Sequence, residues 1–216
     1  MTLPPGSSRM SKGGQIDRST PVDFSFDGRS YQGFAGDTLA SALLANNVRL
    51  IGRSFKYHRP RGLIAAGSEE PNGIVELRSG ARREPNTRAT MVELVAGMQV
   101  ESQNRWPSLR ADILGVNDLL SPWIGGGFYY KTFMWPRPFW EKLYEPIIRR
   151  AAGLGSLSGQ HDDAAYEKAF AFCDVLVIGA GPTGLMAALT AAQAGADVIL
   201  ADEDSRMGGR LLADQT

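Results

Sequence analysis

Cysteine is almost missing from this chain: among its 216 residues only Cys173 occurs. One thiol excludes an intramolecular disulfide and any all-cysteine cluster within the chain, and it suits a reducing, cytoplasmic setting. Net charge is also missing, since Lys plus Arg and Asp plus Glu each number 23. No global field therefore draws the chain toward nucleic acid or a membrane surface. The one long uncharged stretch, Val175 to Ala196, is interrupted by Gly and Pro and reads as strand, turn and helix, not as a membrane span. Residues 1–20, rich in Gly, Pro and Ser without an apolar core, read as a mobile terminus and not as a signal peptide. Nucleophile–base pairs and metal-ligand clusters are absent as recognisable spacings, so no residue is singled out as catalytic.

What is present is a glycine-rich turn between two apolar runs. Val175-Leu176-Val177-Ile178 suits a buried parallel strand, Gly179-Ala180-Gly181-Pro182-Thr183-Gly184 follows, and Leu185 to Gly195 favours a helix closed by glycine. In a dinucleotide-binding turn the first glycine permits the tight bend, the second lets backbone amides approach a pyrophosphate, and the third lets helix and strand pack closely. Pro182 is tolerated at a helix start, where its missing N–H has no intrahelical partner, and the helix N-terminus offers a positive dipole end to phosphate. A second strand, Val198 to Ala201, ends at Asp202, where an acid accepts hydrogen bonds from ribose hydroxyls; Glu203 falls one position late. A carboxylate there repels a 2′-phosphate and favours NAD, or the ADP half of FAD, over NADP. Gly208 and Gly209 offer a second backbone approach to the diphosphate, or an ordinary turn, while Arg206 and Arg210 weaken the exclusion of NADP slightly. Two parallel strands leave both edges of a sheet open. The expectation is therefore a unit that a longer polypeptide or a partner completes, and that binds weakly in isolation.

Upstream, Val22 to Phe26 alternates as a half-buried strand, Asp27-Gly28 signals a hairpin, and Arg29 to Gly33 supplies the return. Asp37 is expected to cap a helix burying Leu39, Ala42, Leu43 and Val48. Ile74 to Leu77, Met91 to Val95 and Met98 to Glu101 read as further strands, giving a compact α+β domain. The basic loop Arg53 to Gly62 has two readings: a nucleic-acid contact, or a surface loop whose cations pair with acids such as Glu69 and Glu70. Neutral total charge favours the second. His58 in this loop reads as a hydrogen-bonded residue, with no Asp or Ser partner evident. Trp123 to Tyr144 is dense in aromatic side chains and is expected to pack across the two domains or against another subunit. A linker at Gly153 to Asp163 and a short helix at Tyr166 to Phe172 precede the first strand of the glycine-rich unit.

Phe34-Ala35-Gly36-Asp37-Thr38-Leu39-Ala40 with Ser54-Phe55-Lys56-Tyr57-His58-Arg59-Pro60-Arg61-Gly62, the stretches Gln103 to Leu109 and Gly127 to Pro136, Phe139-Trp140-Glu141, and Ile148 to Gly155 together resemble the α subunit of heterotetrameric sarcosine oxidase. The resemblance implies a ferredoxin-like β-grasp domain over 21–103, an aromatic-rich connection and linker over 104–172, and an incomplete Rossmann-type FAD/NAD-binding domain, its first β-α-β unit, over 173–216. Relatives that bear a [2Fe-2S] centre carry cysteines after the Pro-Arg-Gly element. Leu63 to Gly73 has none, so the resemblance implies a scaffold without a cluster. It further implies oxidative demethylation of sarcosine to glycine, with H2O2 and formaldehyde or methylene-tetrahydrofolate as products. FAD and FMN would lie in or near the β subunit, NAD on Gly179, Gly181, Gly184 and Asp202, and tetrahydrofolate in a more C-terminal region. Partners would be the β, γ and δ subunits. Two alternatives stay open: a related amine, proline or opine dehydrogenase subunit binding FAD in this turn, and a truncated, non-catalytic assembly scaffold.

Overall fold

The computed structural model describes residues 7–78, 80–123, 125–128, 133, 135–204 and 206–212. They fall into two compact units, Met1–Arg9 with Ile16–Asp162, and Met10–Gln15 with Asp163–Thr216.

In the first unit, β1 (Asp17–Phe26) turns at Asp27-Gly28 into β2 (Arg29–Ala35). Both turn residues have positive φ, 49° and 74°, the requirement of a type I′ turn whose twist matches the flanking strands. Along β1 the buried residues are Val22, Phe24 and Phe26, every second position, as a one-sided sheet demands. The strand starts at Asp17, inside the segment read as a mobile terminus. A short helix, α1 (Leu39–Ala45), follows, and its Leu39, Ala42 and Leu43 are fully enclosed. Each such leucine contributes on the order of 2 kcal/mol by leaving water.

The cap is not Asp37. Thr38 caps α1, its hydroxyl accepting from the Ser41 N–H, while Asp37 is buried one residue earlier and accepts from the Phe34 N–H, the Ser41 hydroxyl and Arg9. Val48 lies beyond the helix but packs on the same core.

After the small hairpin of β3 (Gly52–Arg53) and β4 (Pro60–Arg61) come β5 (Ile74–Leu77), β6 (Glu84–Arg88) and β7 (Met98–Ser102). The main sheet runs β2-β1-β7-β5-β6. Only the central β1–β7 pair is parallel; β1–β2, β5–β7 and β5–β6 are antiparallel. This is a β-grasp: a mixed sheet curled around one helix, in which Val75 and Val100 meet Phe24, Phe26, Leu39 and Leu43.

Two elements differ from expectation. Met91 to Val95 is not a strand, because its backbone serves the start of α1: Val92 O accepts from the Leu39 N–H and the Leu94 N–H reaches Asp37 O, both at 2.9 Å. Conversely, β6 (Glu-Pro-Asn-Thr-Arg) is a strand without an apolar alternation. It sits at the sheet edge and pairs only with β5, where polar residues and proline are tolerated.

The basic loop folds back on its own unit. Arg53 donates to Leu109 O and His58 O, Lys56 to Gly125 O, and Arg59 to Asp118. The expected pairing with Glu70 is absent: that carboxylate is buried and receives backbone N–H groups instead. His58 is enclosed, with Nδ1 2.7 Å from Asp112 Oδ2, an acid more than fifty residues away in sequence that no local pattern announced.

In the aromatic segment, Phe133 packs on Tyr144 with ring centroids 5.0 Å apart and Phe139 approaches the same ring, ahead of α2 (Glu145–Ala151). Trp123 and Trp135 remain largely exposed, and Tyr129, Tyr130, Lys131, Thr132 and Met134 lie outside the described residues. In the second unit, Tyr166 to Phe172 forms no helix. Phe170 and Phe172 stand in solvent, and so short a helix needs a packed face to persist.

Candidate functional site

Within the second unit, β8 (Val175–Ile178) lies parallel to β9 (Val198–Ala201), in register from Val175↔Val198 to Ile178↔Ala201. Helix α3 (Pro182–Gln193) crosses between them. It begins where Gly181, with extended backbone, takes the cap position and Pro182 the first turn, and no side chain caps it. The Leu185 N–H closes the first turn on Gly181 O at 2.9 Å.

Two glycines are dictated by geometry. Gly179 bends the chain at φ 102°, a region that L side chains rarely adopt. At Gly184 a Cβ would stand 1.7 Å from Gly179 O, so only glycine lets helix and turn approach this closely. Gly181 is different. A Cβ there would meet nothing within 4 Å, so neither strain nor packing explains its choice, and open space lies in front of the uncapped helix start.

Asp202 ends β9 beside this turn. Its Oδ2 accepts the Ala180 N–H and its Oδ1 the Asp204 N–H. Those backbone donors, Ala180 first, hold the carboxyl below the usual carboxylate range, so it is an ionised, acceptor-only group with lone pairs left for hydroxyl donors. The Gly208 N–H bonds Ala180 O at 2.9 Å, and Gly209 lies so near that a Cβ there would be 3.1 Å from Gly181 Cα. Gly179, Ala180, Gly181, Gly184, Asp202, Gly208 and Gly209 are thereby brought around one turn. Pro182 and Thr183 form the first helical residues, whereas Glu203 is exposed and makes no part of the turn's hydrogen bonding described above. The Arg210 side chain lies outside what the structure describes, and Arg206 engages Gln15. Uncapped N–H groups, glycine-lined space and an adjacent carboxylate fit the pyrophosphate and ribose of a dinucleotide.

The first unit poses the opposite case. Residues 19–105 match the model of a 2Fe-2S iron-sulfur cluster binding domain, yet that span contains no cysteine. Among the described residues no group of His, Cys, Asp and Glu is arranged to hold a metal ion. The donor set does not fit an iron–sulfur cluster, which thiolates ligate. Among the described residues, no helix is long and apolar enough to cross a membrane.

Residues 174–214 match the model of an FAD dependent oxidoreductase. The chain is 65% identical over 96% of its length to sarcosine oxidase subunit alpha of Rhizobium meliloti (strain 1021), and 33% identical over 95% to the corresponding subunit of Corynebacterium sp. (strain U-96). It spans about a fifth of each, 21% and 17% of their lengths. A likeness to the crystal structure of L-proline dehydrogenase from P. horikoshii has a TM-score of 0.46 at 21% identity, covering 93% of this chain and 27% of that one. Over nearly its whole length the chain is homologous to part of a sarcosine oxidase α subunit, an oxidoreductase subunit, with the match to a 2Fe-2S-type domain preceding the match to the start of an FAD dependent oxidoreductase.

Proposed function

We propose that the βαβ unit binds the ADP half of a dinucleotide, NAD by preference, and that the β-grasp unit is a scaffold within a sarcosine oxidase assembly. The observation that carries this reading is Gly181, a glycine that packing does not require, facing open space at an uncapped helix start beside the Asp202 carboxylate. Backbone N–H groups there would hold the pyrophosphate, and Asp202 would accept a ribose hydroxyl. When bound, the dinucleotide supplies redox chemistry; the residues named bind and orient it.

For the full-length protein, the function is oxidative demethylation of sarcosine to glycine, with H2O2 and either formaldehyde or methylene-tetrahydrofolate as products. FAD and FMN would be carried in or near a β subunit, and the partners would be the β, γ and δ subunits of a cytoplasmic heterotetramer. Similarity to sarcosine oxidase α subunits over nearly the whole chain supports this assignment. FAD in the glycine-rich turn is the second reading, favoured by the match of residues 174–214 to an FAD dependent oxidoreductase.

Denaturing the purified full-length assembly and identifying the released nucleotides by mass separates the two, when combined with the Asp202→Ala variant. Loss of NAD alone from that variant supports NAD in this turn, and loss of FAD alone supports the second reading. A complex whose nucleotide content and sarcosine turnover ignore Asp202→Ala would leave the chain as scaffold only.

A further inference from the structure

The loop after Pro60-Arg61-Gly62 is closed by a carboxylate. Glu70 is fully enclosed, and it accepts backbone N–H groups on both oxygens: Oε2 takes Ile64 and Ala65, each at 2.7 Å, and Oε1 takes Asn72 at 2.7 Å and Gly73 at 3.2 Å. These donors come from the two ends of the loop, so the side chain ties its entry to its exit. The backbone around Glu70 is fixed as well. Its N–H reaches Gly67 O, which also accepts the Thr90 hydroxyl, and Gly73 O receives the Ala89 N–H.

Converging backbone N–H groups make an anion-binding concavity, a device found around phosphates and around many iron–sulfur centres. Here the concavity lies in a domain matched to a 2Fe-2S family that holds no cysteine. Burial of a lone carboxylate is expensive unless several hydrogen bonds compensate it, and four are supplied.

We propose that Glu70 is the built-in anion of this loop: its carboxylate fills the concavity of N–H groups and closes residues 63–73, and the domain, without a cysteine in residues 19–105, takes up no iron. Burial pushes the Glu70 carboxyl upward, and the N–H groups of Ala65, Asn72, Ile64 and Gly73 more than reverse it, so the group lies below the ordinary glutamate range. It is therefore ionised at neutral pH, as an anion in such a cradle must be. The assignment stands apart from the nucleotide reading, which concerns other residues.

The test is amide hydrogen exchange in the full-length protein. In the unmodified protein, the amides of Ile64, Ala65, Asn72 and Gly73 are expected to exchange slowly, although Ile64 as a residue is 76% exposed. Glu70→Gln replaces one acceptor oxygen by an NH2 group facing two N–H donors. It should speed exchange at least tenfold on the side of the loop that loses its acceptor, with Val75 and Val100 in the core unchanged. Glu70→Ala should lose protection at all four, and added formate should restore part of it by occupying the cradle. Exchange unaltered by Glu70→Gln would overturn the proposal. So would ferrous iron and sulfide, supplied anaerobically, binding to the unmodified protein and altering the exchange of these four amides.

Discussion

Single side chains in the first unit carry more than their neighbours in sequence announce. Because the folded Glu70 carboxyl lies below the ordinary glutamate range, its stabilisation is complete above that range and is lost as pH falls through the folded value. Denaturant unfolding of the β-grasp unit within the full-length protein should weaken over that acid range, and Glu70→Gln should flatten this component while lowering stability at neutral pH. The His58–Asp112 contact is the second such point. Both side chains are wholly shielded, and Asp112 also accepts the Trp106 and Leu114 N–H groups. Asp112→Ala should cost roughly 2–4 kcal/mol, since it leaves a buried imidazole and two amides without their acceptor. Asp112→Asn, which keeps an acceptor oxygen, should cost less, and chemical denaturation with both variants reads the difference.

At the level of elements, the glycine-rich turn separates architecture from ligand contact. Gly184→Ala puts a Cβ against Gly179 O and should disrupt the βαβ unit itself, seen as lost amide protection in β8 and α3 together with lost nucleotide. Gly181→Ala meets no protein atom and should leave that protection intact while weakening nucleotide binding by tenfold or more, measured by calorimetry on the full-length protein. Equal binding by Gly181→Ala would remove the case for a pyrophosphate at this position. The strands and helix of this turn were legible because their signals are local: a β-branched run, glycines at fixed offsets, a second run ending in Asp202. The same reasoning missed β6, whose Glu-Pro-Asn-Thr-Arg sequence has no apolar face and is strand only because β5 offers an edge. It also overreached at Met91 to Val95, where an apolar run is held by the start of α1, and at Tyr166 to Phe172, where helix-compatible residues find nothing to pack on.

For the whole molecule, the two units differ in how much apolar surface they enclose. The first buries a continuous core from Val22 to Leu109. In the second, Leu176 and Ile178 of β8 and Met186 and Leu189 of α3 are half or more exposed. A polypeptide limited to these 216 residues should therefore show fast amide exchange across β8, α3 and β9 while β1, β5 and β7 stay protected, and its thermal unfolding should not be a single transition. Uniform protection of both units would contradict this. Sequence alone determined the hairpin, the helix, the glycine-rich βαβ turn and the lack of cysteine ligands, because each rests on residue type at short spacing. Tertiary structure alone decided that Asp112 faces His58, that Arg53, Lys56 and Arg59 of the basic loop meet Leu109 O, Gly125 O and Asp118, and that Glu70 is a buried anchor instead of a surface partner. Those outcomes depend on which distant backbone N–H groups and side chains the β-grasp brings within hydrogen-bond reach, and sequence proximity carries no record of that.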